Sequence, residues 1–286
     1  PSWTQAEANS VKLGGHLTSI NSGSENKFLR QEFDLYDPRT GGPTNPHSIW
    51  IGLYDEGANG SWSWKDGTTP QSNVWINWGT HLTEPYFNGW ETVVKMVSDL
   101  EGSWQYSTPD WIPNVNTGIT ETPFIRRGDS AYVIVQGPTW EEAEANAVKL
   151  GGHLVTINDA AENEWIKQVL MPSNGGWESS AWIGYTDRIK EADWKWSSNE
   201  VSQYQNWATG EPNDVKHTSI GEDFSGITPW GLWFDIPNYP SETLNTPWFS
   251  QGLKGIAEIK LAPNNAPTGT PTITGTLKVG STLTID

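Results

Sequence analysis

The chain contains no cysteine. Disulfide bridges, thiolate zinc centres and cysteine nucleophiles are therefore excluded, and cysteine pairing gives no reading of redox compartment. Cations are scarce. Lys and Arg number 17 against 34 Asp and Glu, a formal net charge of -17. Phosphate contact needs clustered Lys and Arg, so nucleic acid is not expected as a partner. No apolar run reaches the length of a membrane span, and the first residues carry no signal-peptide pattern. The 5 histidines are scattered. No nucleophile-elbow or phosphate-loop motif occurs, so an enzyme is not expected. Carboxylate pairs suited to glycoside hydrolysis can be drawn from the loop acids, but a bound cation would occupy them.

Tryptophan, by contrast, is abundant, at 19 residues. Core packing is its expected use, because an indole buries a large area and still satisfies its N–H. Stacking platforms for sugar rings are the alternative. A length of 286 residues allows two domains.

Internal repetition supports two. "WTQAEANSVKLGGHLTSIN" (Trp3 to Asn21) recurs as "WEEAEANAVKLGGHLVTIN" (Trp140 to Asn158). "IWIGLYDEGANGSWSWKDG" (Ile49 to Gly67) matches "AWIGYTDRIKEADWKWSSN" (Ala181 to Asn199), and "NWGTHLTEP" (Asn77 to Pro85) matches "NWATGEP" (Asn206 to Pro212). Each copy reads helix, turn, strand, helix, then short strands and long loops. In the second copy Thr139 and Glu142 have capping-box spacing, and Trp140, Ala143, Ala147 and Leu150 line one helical face. Gly151 and Gly152 end that helix. "HLVTI" (His153 to Ile157) alternates like a strand. Asp159 and Glu162 offer a second capping box before a stripe of Trp165, Ile166, Val169 and Leu170, and Ser22 with Glu25 repeats that cap in the first copy. His16 and His153 beside the glycine turns are expected to be structural. "AYVIVQGPT" (Ala131 to Thr139) reads as a strand before the second copy, whereas only Pro1 and Ser2 precede the first. The first copy is thus expected to lack its edge strand, which lies upstream or is dispensable. Residues 262–286, rich in Pro, Thr and Gly, read as a linker entering a β-type module.

"NWATGEPNDVKHTSIGEDF" (Asn206 to Phe224) gathers Glu211, Asp214, Glu222 and Asp223. Asn213, Asp235, Asp187 and Glu191 add oxygen donors. Like charges at ~4 Å repel by about 4 kcal/mol at an effective dielectric near 20. The nearby cations are Arg188, Lys190 and Lys216. A divalent cation offsets the repulsion, and hard oxygen donors favour calcium over zinc.

These features together resemble the C-type lectin-like domain, twice over residues 1–261. The carriers are the "W…A…LGGHL…I" entry, "WIG" at Trp50 and Trp182, "EPND" from Glu211, "GED" from Gly221 and "GLWFD" from Gly231. The resemblance implies an α+β fold, each domain having two helices packed on short antiparallel sheets with long loops. It divides the chain into domains 1–127 and 128–261, with 262–286 opening an immunoglobulin-like repeat of the kind found in large bacterial adhesins. It implies that Asp187, Glu191, Asp214, Glu222 and Asp223 hold an auxiliary calcium. Glu211, Asn213, Glu222 and Asp235 match the calcium site that binds sugar, with Pro212 cis and mannose- or glucose-type specificity. The cysteines common in the family fall at Ala147, Phe224, Asn238 and Ala257, so apolar packing must replace at least the first bridge. The family's "WND" is "WFD" here. Phe234 can neither ligate calcium nor bond sugar, and Asn238 or a water is the candidate substitute.

The first copy has "EPYF" (Glu84 to Phe87) for the second copy's "EPND", and "SWQYS" (Ser103 to Ser107) has no acid in place of Asp235. Asp55 stands opposite Asp187, and Asn59 replaces Glu191. That copy is expected to keep the fold without calcium sites. Its Tyr86, Phe87, Trp90 and Trp104 pack under loops or form a contact surface. The expected function is calcium-dependent glycan binding in an extracellular bacterial adhesin. A protein-binding or structural module with calcium-stiffened loops is the competing reading.

Overall fold

The structure, a computed structural model, describes residues 1–33, 48–57, 59–68, 77–78, 92–97, 102–109, 115–172, 174–215, 221–238, 253–261, 273–274 and 284–285. It is an α+β architecture in which each copy supplies two helices and its own sheet.

The helices begin where the sequence places their caps. α1 (Trp3–Lys12) opens on a full capping box between Ser2 and Gln5. α2 (Gly23–Glu32), α3 (Trp140–Lys149) and α4 (Ala160–Val169) are capped by Ser22, Thr139 and Asp159. The second-helix acids do not close reciprocal boxes. Glu25 and Glu162 reach one residue further back, to the amides of Asn21 and Asn158, each at 2.8 Å. α3 buries Trp140, Ala143, Asn146 and Ala147, and Gly151 follows at φ 85°. α4 buries Glu162, Asn163 and Ile166, while Val169 is exposed. The buried line advances by three or four residues from Glu162 and Asn163 to Ile166, so the stripe expected to include Val169 passes it by.

The "HLVTI" segment forms a strand only at His153–Leu154. Val155 explains the early stop. Its amide donates to Ile256, but its carbonyl accepts from Gly184, so it bridges two strands and leaves the ladder. The second sheet runs in the order Trp233–Ile236, Phe224–Ile227, Ala181–Thr186, Lys254–Lys260, Ser130–Gln136, Ile125–Arg127. All neighbours on that path are antiparallel except Ala181–Thr186 with Lys254–Lys260. The first sheet repeats the plan with Ser63–Trp64, Ser48–Asp55, Thr92–Met96 and Trp104–Ser107.

Duplication extends to single hydrogen bonds. Asn163 donates to the Gly231 carbonyl and accepts from the Trp233 indole, and Asn26 does the same with Gly102 and Trp104. His16 and His153 each meet a helix glutamate (Glu7, Glu144) at 2.6 Å, and the second carboxylate oxygen takes the next backbone amide. Both histidines are therefore bound into the helix–strand joint.

Tryptophan builds the cores. Trp50, Trp64, Trp104, Trp140, Trp182 and Trp233 are fully buried, and Trp3 and Trp196 nearly so. Apolar and polar packing stand where cysteines were expected. Ala147, Ala257 and Phe224 share one buried cluster, and Phe224 packs on Trp140 at 5.0 Å. Asn238 bonds both the amide and the carboxylate of Glu141, which leaves it unsuited as the substitute ligand. Of the C-terminal segment, the described part is an antiparallel pair, Ile273–Thr274 with Thr284–Ile285. No helix among the described residues is long and apolar enough to cross a membrane.

Candidate functional site

The strand Ala181–Thr186 delivers the first acid. The Thr186 hydroxyl donates to the Asp223 carbonyl at 2.7 Å, and the Asp187 amide donates to the same oxygen at 3.2 Å. Asp187 and Asp223 are thereby held side by side. Asp187 is 4% exposed, and its Oδ2 accepts from the Ala192 amide at 2.9 Å. Its Oδ1 is buried with no hydrogen-bond partner among the described residues. Such an atom costs about 1–3 kcal/mol, more when charged. Ala192 closes this loop at φ 61°, and Glu191, immediately before it, is exposed.

The strand Trp233–Ile236 delivers Asp235. Its carboxylate accepts the Asn213 amide at 3.0 Å and the Asp214 amide at 2.8 Å. The intervening Glu211–Pro212 bond is cis, as expected from the motif. Asn213 Nδ2 donates to Glu211 Oε2 at 2.6 Å. The Val215 amide donates to Asn213 Oδ1 and to Glu222 Oε2, and the Glu222 amide donates to Asp214 Oδ1. Gly221 lets the last two acids approach. A Cβ there would lie 2.9 Å from Asp214 Oδ1 and 3.1 Å from Asp223 Oδ1. The eight oxygen-donor residues singled out in the sequence therefore lie in one loop cluster. Of the two residues that tie it together, Thr186 was not singled out, and Gly221 was quoted only as the first residue of "GED". The position of Thr186 before Asp187 and the step Gly221-Glu222 were the available signals.

Crowding shows in the acid–base chemistry. Burial, the Asp235 carboxyl beside it and the charge of Glu222 push Glu211 up to about 8. Burial and the charges of Asp235 and Asp214, partly offset by the Val215 amide, raise Glu222 to about 7. Asp187 rises to about 6 through burial and the charges of Glu191 and Asp223, against the Ala192 amide. Burial and Asp214 raise Asp223 too. The nearest described arginine, Arg188, turns away to Glu141 at 3.7 Å and lies over the Trp140 ring. Lys216 lies outside the described residues.

The donor set suits a hard cation in composition, and the orphaned Asp187 Oδ1 fits one in geometry. Among the described residues, no group of three or more His, Asp or Glu side chains stands ready to hold a metal ion. Asp235, Glu222 and Asp214 are instead spent on backbone amides, which a cation has to displace. The sugar-linked set is weaker on a second count. Phe234 is 5% exposed and packs in the core with Trp182 and Phe224.

In the first copy the equivalent carboxylate meets backbone amides. Both oxygens of Asp55 accept amides, from Asn59 at 3.2 Å and Gly60 at 2.8 Å. No oxygen of Asp55 matches the orphan of Asp187. Tyr106 stands at the place of Asp235 in the strand Trp104–Ser107. Glu84, Tyr86, Phe87 and Trp90 lie outside the described residues, whereas Trp104 is core.

The family described as Lectin C-type domain matches residues 1–108 and 136–226. Ladderlectin of Oncorhynchus mykiss is 33% identical over 128 residues, 43% of this chain and 67% of that protein. C-type mannose receptor 2 of Mus musculus is 24% identical over 259 residues, 82% of this chain but 16% of the receptor. The chain thus spans a small part of that receptor's length. Among solved structures, the mouse scavenger receptor C-type lectin carbohydrate-recognition domain is 28% identical, with 49% of this chain and 96% of that chain covered and a TM-score of 0.40.

Proposed function

We propose a function from one premise: this chain belongs to the C-type lectin domain family, whose domains are non-enzymatic binding modules. In our reading, residues 128–261 form a calcium-dependent carbohydrate-binding module of mannose or glucose type. Residues 1–127 form a second lectin module without calcium, and residues 262–286 begin an immunoglobulin-like repeat. The parent is an extracellular adhesin of a bacterial surface, where display of several modules raises weak single-site affinity.

Asp187, Glu191, Asp214, Glu222 and Asp223 are assigned to an auxiliary calcium, and Glu211, Asn213, Glu222 and Asp235 to the calcium that meets sugar. The observation that carries the reading is the buried Asp187 Oδ1 without a protein partner, in a loop cluster whose acids raise one another's proton affinity. Calcium supplies the missing positive charge. This chain's own contribution is orientation. Asp235 pins the Asn213 and Asp214 amides, so Glu211 and Asn213 are presented together at the surface. Both side chains combine with a sugar's vicinal hydroxyls as acceptor and donor.

A second reading is favoured by one observation, the burial of Phe234 at the place of a ligand. In that reading calcium stiffens the loops and the partner is a protein. A glycan array probed with and without chelator separates the two. Mannose- or glucose-type signals that vanish with chelator support the first reading. Array silence in saturating calcium contradicts it.

A further inference from the structure

We propose that the second copy carries a separate, calcium-independent sugar contact at Trp177 and Trp230, which takes the apolar face of a neutral pyranose.

Three exposed apolar side chains collect at one end of the Phe224–Ile227/Trp233–Ile236 hairpin. Trp230 is 51% exposed, Trp177 40% and Leu232 40%. The two indoles meet edge to face, with centroids 5.6 Å apart and planes at 75°. Phe234 backs them, its ring 5.4 Å from that of Trp177. The turn bearing Trp230 is rigid. Gly231 donates to the Thr228 carbonyl, Thr228 donates to the Leu232 carbonyl, and the Leu232 amide donates to the Thr228 hydroxyl. The patch is thus pre-organised, which lowers the ordering cost of binding.

The first copy serves as an internal control. Gly231 and Gly102 are equivalent, because each carbonyl accepts from two asparagines, Asn163 and Asn206 in one case and Asn26 and Asn77 in the other. In sequence, Trp230 then corresponds to Glu101 and Leu232 to Ser103. The first copy's sequence thus has polar residues at these positions. The fold therefore does not require Trp230 or Leu232, and exposed apolar surface without a folding role marks a contact.

Size and charge select the occupant. The three side chains present roughly 300 Å². A stable protein interface needs about 800 Å² per partner, so a protein is too large for this patch alone. One pyranose ring is not. Lys167 approaches the turn, its Cδ 3.3 Å from where a Cβ on Gly231 would lie, and pairs with Glu164 at 3.0 Å, while Glu178 follows Trp177 in the chain. Two carboxylates against one ammonium disfavour an anionic ligand and offer acceptors to neutral hydroxyls. Sugars with equatorial substituents present a continuous C–H face that packs on an indole, as other apolar groups do. The patch stands apart from the acid loops. Trp230 lies in the closed turn of the hairpin, while Asp235 pairs with Ser225 near its open end, roughly three strand residues or about 10 Å along.

The test uses the whole chain in EDTA, titrated with cellotetraose and with β-1,4-mannotetraose, and reads intrinsic fluorescence and heat. Saturable binding of at least one is expected. Trp230→Glu, the residue of the first copy, is expected to weaken it at least about tenfold, equal to about 1.4 kcal/mol. Trp230→Phe keeps most of it. An unshifted urea midpoint for Trp230→Glu shows that the fold is intact. Failure of both sugars to bind in EDTA overturns the proposal. So does equal binding by Trp230→Glu, or sedimentation showing self-association that Trp230→Glu abolishes. Loss of the calcium-linked site leaves these EDTA measurements standing, so the two claims fail separately.

Discussion

Consider replacing Phe234 by Asn, which rewrites "WFD" as the "WND" that the family resemblance implies. As a sequence edit it looks like a repair. In the structure it removes a ring that is 5% exposed and packs with Trp182 and Phe224, edge-on to Trp177 at 5.4 Å. The ring also fills the place of a missing side chain. A Cβ on Gly226 would lie 2.7 Å from Phe234 Cζ, so that glycine and this phenyl form a matched pair across the strands. Deleting a buried Phe side chain costs about 3–5 kcal/mol. An amide left there without partners adds about 1–3 kcal/mol. We take about 5 kcal/mol for the variant in chelator, a large part of the 5–15 kcal/mol available to a typical domain. At a urea slope of about 2 kcal/mol per M, the midpoint falls by roughly 2.5 M. The assay is urea denaturation of the whole chain in EDTA, followed by tryptophan fluorescence and fitted with separate transitions for the two copies. The second-copy midpoint is expected to move and the first to stay. A shift below about 0.5 M refutes the reasoning, because the ring then contributes little to the core. Restoring the ligand in isolation therefore weakens the module that has to hold it.

Other expectations follow from the same geometry. Gly226→Ala drives a methyl into the Phe234 ring and is expected to cost about 1–3 kcal/mol in the same urea experiment. Glu162→Ala strips partners from the Tyr132 hydroxyl (2.6 Å), Arg127 (3.1 Å) and the Asn158 amide (2.8 Å), and is expected to cost about 3 kcal/mol. Stability in chelator depends on pH with a definite sign. Glu211, Glu222 and Asp187 have folded values near 8, 7 and 6, above their unfolded values, so the folded state binds protons more tightly. Their contribution is full below about pH 4 and is lost as pH rises through 6 to 8. Thermal melts in EDTA are expected to show the second transition falling across that range, and saturating calcium to remove the fall. Asp187→Asn keeps the acceptor for Ala192 and removes a charge. It is expected to melt above wild type in EDTA at pH 7.5 and to gain less from calcium.

The duplicated scaffold was legible because its signals are local and repeated. Caps at Ser22, Thr139 and Asp159, the Gly14 and Gly151 turns, and the buried faces of Trp140 and Ile166 all depend on neighbours three or four residues apart. The acid loops were legible as a donor set, since the motif places Glu211 to Asp214, Glu222 and Asp235 at fixed separations. Directions were not legible. Whether Asp235 turns to a cation or to the Asn213 and Asp214 amides depends on a loop path that no pattern encodes. Asn238 was a candidate ligand by composition but is bound to Glu141 from another element. Phe234 was seen as a lost ligand, whereas its gain in packing required knowing that Gly226 lies across the strand. The Trp177–Trp230 patch joins residues 53 apart in the chain and became visible only in three dimensions.

The central claim is that divalent cations organise the loops around Asp187. A calorimetric calcium titration of the whole chain, beside Asp187→Ala and Asn213→Ala, tests it most directly. Saturable heat in the wild type, with one binding event lost in each variant, is the predicted result. A flat titration of the wild type contradicts the account.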